Sequence, residues 1–272
     1  MAPVTLRKRY LDLMEAVLTG AFEEDAPIPT AGYRQLVSHV LTAIHGVEQE
    51  APDDALGYNT TLRDKGWDWP SKSLTMVGRQ RLHNFRTLIE RSIAEGVAGD
   101  IIETGVWRGG ASIMARAVLL AHDVTDRRVV VADSFEGLPP PAPDLYPADS
   151  TSDLHEFTEL AIPLEQVQAN FRRFDLLDDQ VVFLKGWFRD TMPTVASERI
   201  AVLRLDGDMY ESTMDALNAL YDKVVPGGAV IVDDYGAVEG CRRAIADFLG
   251  ARSIRVKLAN IDGIGAWWVK SK

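Results

Sequence analysis

Glu103-Thr104-Gly105-Val106-Trp107-Arg108-Gly109-Gly110 decides how the chain is read, because it follows the apolar run Asp100–Glu103 and opens a helix-like segment. A glycine-bearing turn between strand and helix is where an open α/β sheet receives its ligand. Here Gly105 would let backbone approach a ligand closely, and Gly109 and Gly110 would let the helix start tight against the strand. Working outward, short apolar runs alternate with helical ones. Asp100–Glu103, Arg128–Ala132, Gln180–Lys185, Ile200–Leu205 and Ala229–Val232 are compact runs of the kind expected in strands buried on both faces. Ala111–His122, Pro163–Phe174, Ser212–Lys223 and Val238–Leu249 place apolar residues at three- and four-residue steps, as helices do. The alternation predicts an α/β fold, doubly wound around a mostly parallel sheet.

Beyond the last helix, Ser253–Leu258 and Ile264–Val269 flank the turn formers Asn260, Asp262 and Gly263 and read as an antiparallel hairpin. A parallel sheet ending this way points to a class I methyltransferase architecture, which is Rossmann-like. The first 97 residues differ, carrying one helical stripe of Leu6, Tyr10, Leu13, Met14 and Val17 and another of Leu82, Phe85, Leu88, Ile89 and Ile93. Both stripes are expected to be covered. The sequence thus divides into an N-terminal helical cap over 1–97 and a core over 98–272. Pro27 to Pro70, with Trp67 and Trp69, suits either a lid over the carboxyl edge of the sheet or a packed extension or dimer contact.

The 272 residues are 46% hydrophobic and 25% charged, enough for one large core. With 29 Lys plus Arg against 40 Asp plus Glu the net charge is −11, which opposes an extended nucleic-acid surface and favours small-molecule chemistry. No apolar run reaches the length of a membrane span and no signal-type block follows the N-terminus, so a cytoplasmic location is expected. The single cysteine, Cys241, reads as packing.

The glycine before Val106-Trp107 stands without the G-x-G-x-x-G spacing of a pyrophosphate site, and Glu103 at the strand end would repel a phosphate. A cationic amino acid with a sulfonium suits that carboxylate better, which favours S-adenosylmethionine over NAD. Asp133, opening Asp133-Ser134-Phe135-Glu136-Gly137 at the end of the second strand, is placed to accept from both ribose hydroxyls, or else to cap the next segment. Gly186 could admit the adenine, and Trp187 or Phe188 could stack on it.

Leu205-Asp206-Gly207-Asp208 ends one strand and Val232-Asp233-Asp234 the next, so carboxylates converge at one sheet edge. Such crowding is relieved by raised pKa values or by a bound cation. Oxygen ligands without His or Cys point to a hard ion such as Mg²⁺, with Asp206, Asp233 and Asp234 as ligands. Asp208, two residues past Asp206, points the same way if the backbone is still extended, which suits a general base.

Taken together, these residues resemble the macrocin O-methyltransferase family, whose members methylate deoxysugars on antibiotics and related natural products. The likeness is carried by Tyr10-Leu11-Asp12-Leu13, Thr75-Met76-Val77-Gly78, Glu103 through Ser112 (with Thr104, Gly105, Val106 and Trp107), and Ala132 through Gly137. It continues in Gly186-Trp187-Phe188, Asp190 through Pro193, Leu205 through Asp208, and Asp233-Asp234-Tyr235. The resemblance implies S-adenosylmethionine as donor, Mg²⁺ on Asp206, Asp233 and Asp234, and Asp208 as base. It also implies donor contacts from Thr75 and Met76, a glycoside acceptor and a homo-oligomer, dimer or tetramer. A catechol-type diol acceptor is the alternative, although Met209 stands where that pattern would place a lysine. A noncatalytic binding protein on the same fold is the third reading.

Overall fold

The computed structural model describes residues 5–28, 38, 41–42, 46–51 and 57–271. Its order begins with α1 (Leu6–Leu18), α2 (Thr60–Lys65), α3 (Gly78–Ala94), β1 (Asp100–Thr104), α4 (Gly110–Ala121), β2 (Val129–Asp133), α5 (Leu164–Arg173) and β3 (Val181–Lys185). It continues with α6 (Phe188–Thr191), β4 (Ile200–Leu205), α7 (Tyr210–Leu220), β5 (Val224–Val232), α8 (Glu239–Ala251), β6 (Ala259–Asn260) and β7 (Ala266–Val269). Seven strands form one sheet in the order β3-β2-β1-β4-β5-β7-β6. The first five are parallel, and β7 and β6 close the edge antiparallel. The order reverses between β1 and β4, so their carboxyl ends open a crevice there.

β1 and β4 are buried along their whole length, their apolar residues flanked by polar ones, Asp100, Glu103, Thr104 and Arg204, that are buried with them. One face of the sheet carries a core of Leu11, Leu82, Phe85, Ile101, Ile113, Val129 and Phe171. The other carries Ile102, Leu203, Leu217, Val230, Ile245, Phe248 and Trp268. Helices on both faces therefore make the doubly wound layer structure, and α1 and α3 share the first core with β1 and α4. No helix among the described residues is long and apolar enough to cross a membrane. Cys241, 1% exposed, packs in the second core.

Two local expectations are corrected. Ser253–Leu258 is not a ladder strand, and the hairpin is instead Ala259–Asn260 against Ala266–Val269. Ile254, Val256 and Leu258 do alternate inward against the second core, but a period of two reports one-sided burial and not a hydrogen-bonding partner. In α1 the buried face is Leu11, Met14, Glu15 and Leu18, while Leu6, Leu13 and Val17 are exposed. The true face runs i, i+3, i+7 from Leu11, rotated from the longer apolar stripe. The stripe in α3 is buried as expected at Leu82, Phe85, Leu88 and Ile89. Of the expected lid between Pro27 and Pro70, positions 29–37, 39–40, 43–45 and 52–56 lie outside the described residues.

Candidate active site

A cleft of about 940 Å³ opens over the carboxyl ends of β1, β2, β4 and β5. That is at the upper end for a single small-molecule site and leaves room for a donor and an acceptor side by side. Thr75, Met76, Glu103, Gly105, Val106, Trp107, Asp133, Ser134, Gly186 and Trp187 all line it, as do Asp206, Asp208, Asp233 and Asp234. Thr104 does not. It is 1% exposed and its hydroxyl donates to the Arg204 carbonyl in the neighbouring strand at 3.4 Å.

The β1–α4 turn is held by its surroundings more than by its own residues. Gly105 has φ +83°, and a Cβ there would lie 1.7 Å from the Asp206 carbonyl oxygen, so this glycine lets the β1 and β4 ends meet. Gly110 makes room for the Leu74 carbonyl, 2.4 Å from its would-be Cβ, and for the Thr75 side chain, and its amide donates to the Leu74 carbonyl at 2.9 Å. The glycine thus admits the N-terminal segment rather than the strand, which brings Thr75 and Met76 to the cleft. The Asp133 carboxylate accepts from the Val106 and Phe135 amides, each at 2.7 Å. It ties the ends of β1 and β2 together, and lone pairs remain for further donors. Its burial raises its pKa against those hydrogen bonds.

Five carboxylates and two guanidiniums make up the floor. Arg204, 1% exposed in β4, donates to Glu103 and Asp206, each at 2.7 Å, and to Asp233. Arg81 of α3 donates to the other oxygen of Asp233 and, at 3.0 Å, to Asp262 in the β6–β7 turn. Ser112 bonds the second oxygen of Glu103. Neither arginine nor Ser112 was singled out from sequence. A signal existed for Arg204, since a charge inside a strand buried on both faces must be paired.

Negative charge remains in excess. Burial pushes Glu103 up to about 7, against Arg204 and Ser112. Burial likewise raises Asp206 to about 6, although 23% of its side chain faces the open cleft, and Asp208 to about 7, with Asp206 and Asp233 adding repulsion. Asp234 lies well above the carboxylate range, first from burial and then from Asp208, Asp206 and Asp233. Asp206, Asp233 and Asp234 each offer an oxygen within 4.8 Å of the others. An all-oxygen set of that span, poorer in cations than in carboxylates, fits a hard divalent ion. Asp208 does not continue β4: it has φ +57°, and its amide donates to Asp234 at 3.2 Å. Its position at the cluster therefore comes from a left-handed turn, not from strand alternation.

The profile of the macrocin O-methyltransferase (TylF) family matches residues 7–270. The chain belongs to that family. It is therefore an O-methyltransferase of the S-adenosylmethionine-dependent class, on the expected mostly parallel sheet with its antiparallel end. One relative, from Streptomyces olivaceus, is the 8-demethyl-8-(2,3-dimethoxy-alpha-L-rhamnosyl)-tetracenomycin-C 4'-O-methyltransferase. It is 49% identical over 96% of this chain and 92% of its own. The mycinamicin III 3''-O-methyltransferase of Micromonospora griseorubida is 42% identical over the full length of both chains. Among solved structures, the O-methyltransferase NovP superposes with a TM-score of 0.85 at 43% identity, covering 98% of this chain and 100% of that one.

Proposed function

We propose that this enzyme methylates a hydroxyl of a deoxysugar already attached to a natural product, with Mg²⁺ held by Asp206, Asp233 and Asp234. The reading is carried by the crowded carboxylates beside the β1–α4 turn, in a cleft with room for two ligands. It is supported by two relatives whose names specify a rhamnosyl tetracenomycin and mycinamicin III. Antibiotic biosynthesis is the corresponding setting.

In this reading Glu103, Gly105, Val106, Trp107, Asp133, Ser134, Gly186 and Trp187 hold the donor, with Thr75 and Met76 covering it from the N-terminal segment. When bound, S-adenosylmethionine supplies a methyl group already activated on sulfur. When bound, Mg²⁺ supplies positive charge that orients the acceptor and lowers the pKa of its hydroxyl. Asp208 would take the acceptor hydroxyl's proton, and the methyl group that S-adenosylmethionine supplies would go to that oxygen, with S-adenosylhomocysteine as the other product. Burial, with repulsion from Asp206 and Asp233, holds the Asp208 pKa up, at about 7 in the metal-free protein, which favours proton uptake there. The N-terminal segment, through its helices α1, α2 and α3, acts as the cap that excludes water and selects the acceptor, Trp67 and Trp69 lining the same cleft.

Turnover of a glycoside panel and a catechol panel, each with and without EDTA, tests this directly. Methylation of glycosides that stops with EDTA and returns with Mg²⁺ is expected. Full activity in excess EDTA would remove the metal, and preference for catechols would remove the sugar.

A further inference from the structure

We infer that Arg81 is a positioning residue for the metal site, fixing the Asp233 carboxylate from a socket shared by the cap and the C-terminal hairpin. The inference rests on the proposal that Asp206, Asp233 and Asp234 hold Mg²⁺.

Arg81 follows Gly78 by one turn in α3 and is 5% exposed, so its N–H groups need acceptors inside the protein. It finds them on three separate segments. One terminal nitrogen donates to Asp233, Nε donates to Asp262 at 3.0 Å, and the other terminal nitrogen donates to the Gly66 carbonyl at 2.8 Å. Two glycines make the space. A Cβ on Gly66 would lie 2.6 Å from the guanidinium, and one on Gly265 would lie 3.0 Å from the Arg81 Cδ. Asp262 is itself fixed, its second oxygen accepting the Ile264 and Gly265 amides at 3.0 and 2.9 Å.

Asp233 is consequently gripped on both oxygens, by Arg81 on one and Arg204 on the other. Charge neutralisation alone would not require this arrangement. A fixed cation beside an ion site repels the ion, so its presence there is useful only if the orientation it imposes outweighs the repulsion. A planar fork anchored at three places supplies orientation that a lysine ammonium lacks.

The two roles predict opposite results. Isothermal titration of the donor-free enzyme with Mg²⁺ should show affinity falling about tenfold or more in Arg81→Lys, as for other outer partners of metal ligands. Arg81→Gln should be weaker as well. S-adenosylhomocysteine affinity, measured alongside, should stay near the wild-type value in both. Wild-type Mg²⁺ affinity in Arg81→Lys, or tighter binding in Arg81→Gln, would show that Arg81 only neutralises charge and would overturn the inference. Loss of Mg²⁺ and S-adenosylhomocysteine binding together would assign it a folding role and also overturn it. If neither Arg81 variant folds, Asp262→Asn loosens one anchor only. A severalfold loss of Mg²⁺ affinity with intact S-adenosylhomocysteine binding supports the inference there, and unchanged Mg²⁺ affinity refutes it. A wild-type enzyme that binds no Mg²⁺ would refute the metal reading itself, and Arg81 would then have nothing to position.

Discussion

Asp208 sits at φ +57°, a backbone region that costs most side chains energy, and its amide is held by Asp234. The left-handed turn, fixed by that amide hydrogen bond, sets the Asp208 carboxylate among Asp206, Asp233 and Asp234. On the proposal that Asp208 takes the acceptor's proton, Asp208→Asn should cut kcat by about a hundredfold or more while leaving S-adenosylhomocysteine affinity nearly unchanged. Asp206→Asn should instead lower Mg²⁺ affinity and turnover together. Steady-state kinetics with calorimetry separates the two, and wild-type rates in either variant would remove that residue from the machinery. The convergence of Asp206 with Asp233 and Asp234 was legible because they follow the ends of two adjacent parallel strands. What sequence hid was the counter-charge. Arg81 lies at a helix position whose neighbours Leu82 and Phe85 read as ordinary core, and its partners are as far away as Asp262. The turn at Asp208 was equally hidden, since nothing local in Asp206-Gly207-Asp208-Met209 marks the second aspartate as left-handed.

The elements that carry the site differ in how they are terminated. Met209, the residue before α7, makes no side-chain cap, yet the helix begins directly after the Asp206–Met209 turn. The cap comes from Asp149, 61 residues earlier in the β2–α5 connection, whose oxygens accept the Tyr210 and Glu211 amides at 2.7 and 3.0 Å. Asp149 is 2% exposed, and a Cβ on Gly240 of α8 would lie 2.6 Å from it, so the connection is clamped between two helices. Asp149→Ala should therefore destabilise the fold by about 1 to 2 kcal/mol, the usual worth of a helix cap. It should also raise the acceptor KM more than the donor KM, because Ala148 and Ser152 beside it line the cleft. Denaturant melts and bisubstrate kinetics check both parts, and an unchanged midpoint would refute the capping role. Strands and helices of the core were legible to within a few residues, since buried parallel strands leave compact, mostly apolar runs. The hairpin's first arm and the buried face of α1 were not, because their periodicity does not say what lies opposite. Long-range caps such as Asp149 leave no periodic trace at all.

At the scale of the molecule, the sheet is covered on both faces and its acidic excess is concentrated at one edge. On the proposal that these carboxylates hold Mg²⁺, stability and metal binding are parts of one titration. Without metal, Glu103, Asp206 and Asp208 sit at about 7, 6 and 7, above their ordinary values of 4.5, 3.8 and 3.8. Between about pH 4 and pH 7 the native state thus binds more protons than the unfolded chain, so its stability falls as pH rises through that window. Carboxylates such as Asp178, lowered by its bond from Arg116, have the opposite sign but act only below the ordinary carboxylate range. Mg²⁺ needs the cluster deprotonated and should therefore stabilise most where the metal-free protein is weakest. At a hundredfold excess over its Kd, Mg²⁺ adds about 2.7 kcal/mol, or roughly 5 to 10 °C in Tm for a chain of this size. Thermal melts should show that increment at pH 8, shrinking towards zero by pH 5, while the metal-free Tm rises as pH falls from 8 to 5. An increment equal at both pH values would mean that Mg²⁺ stabilises some other part of the protein, and that these carboxylates do not hold it.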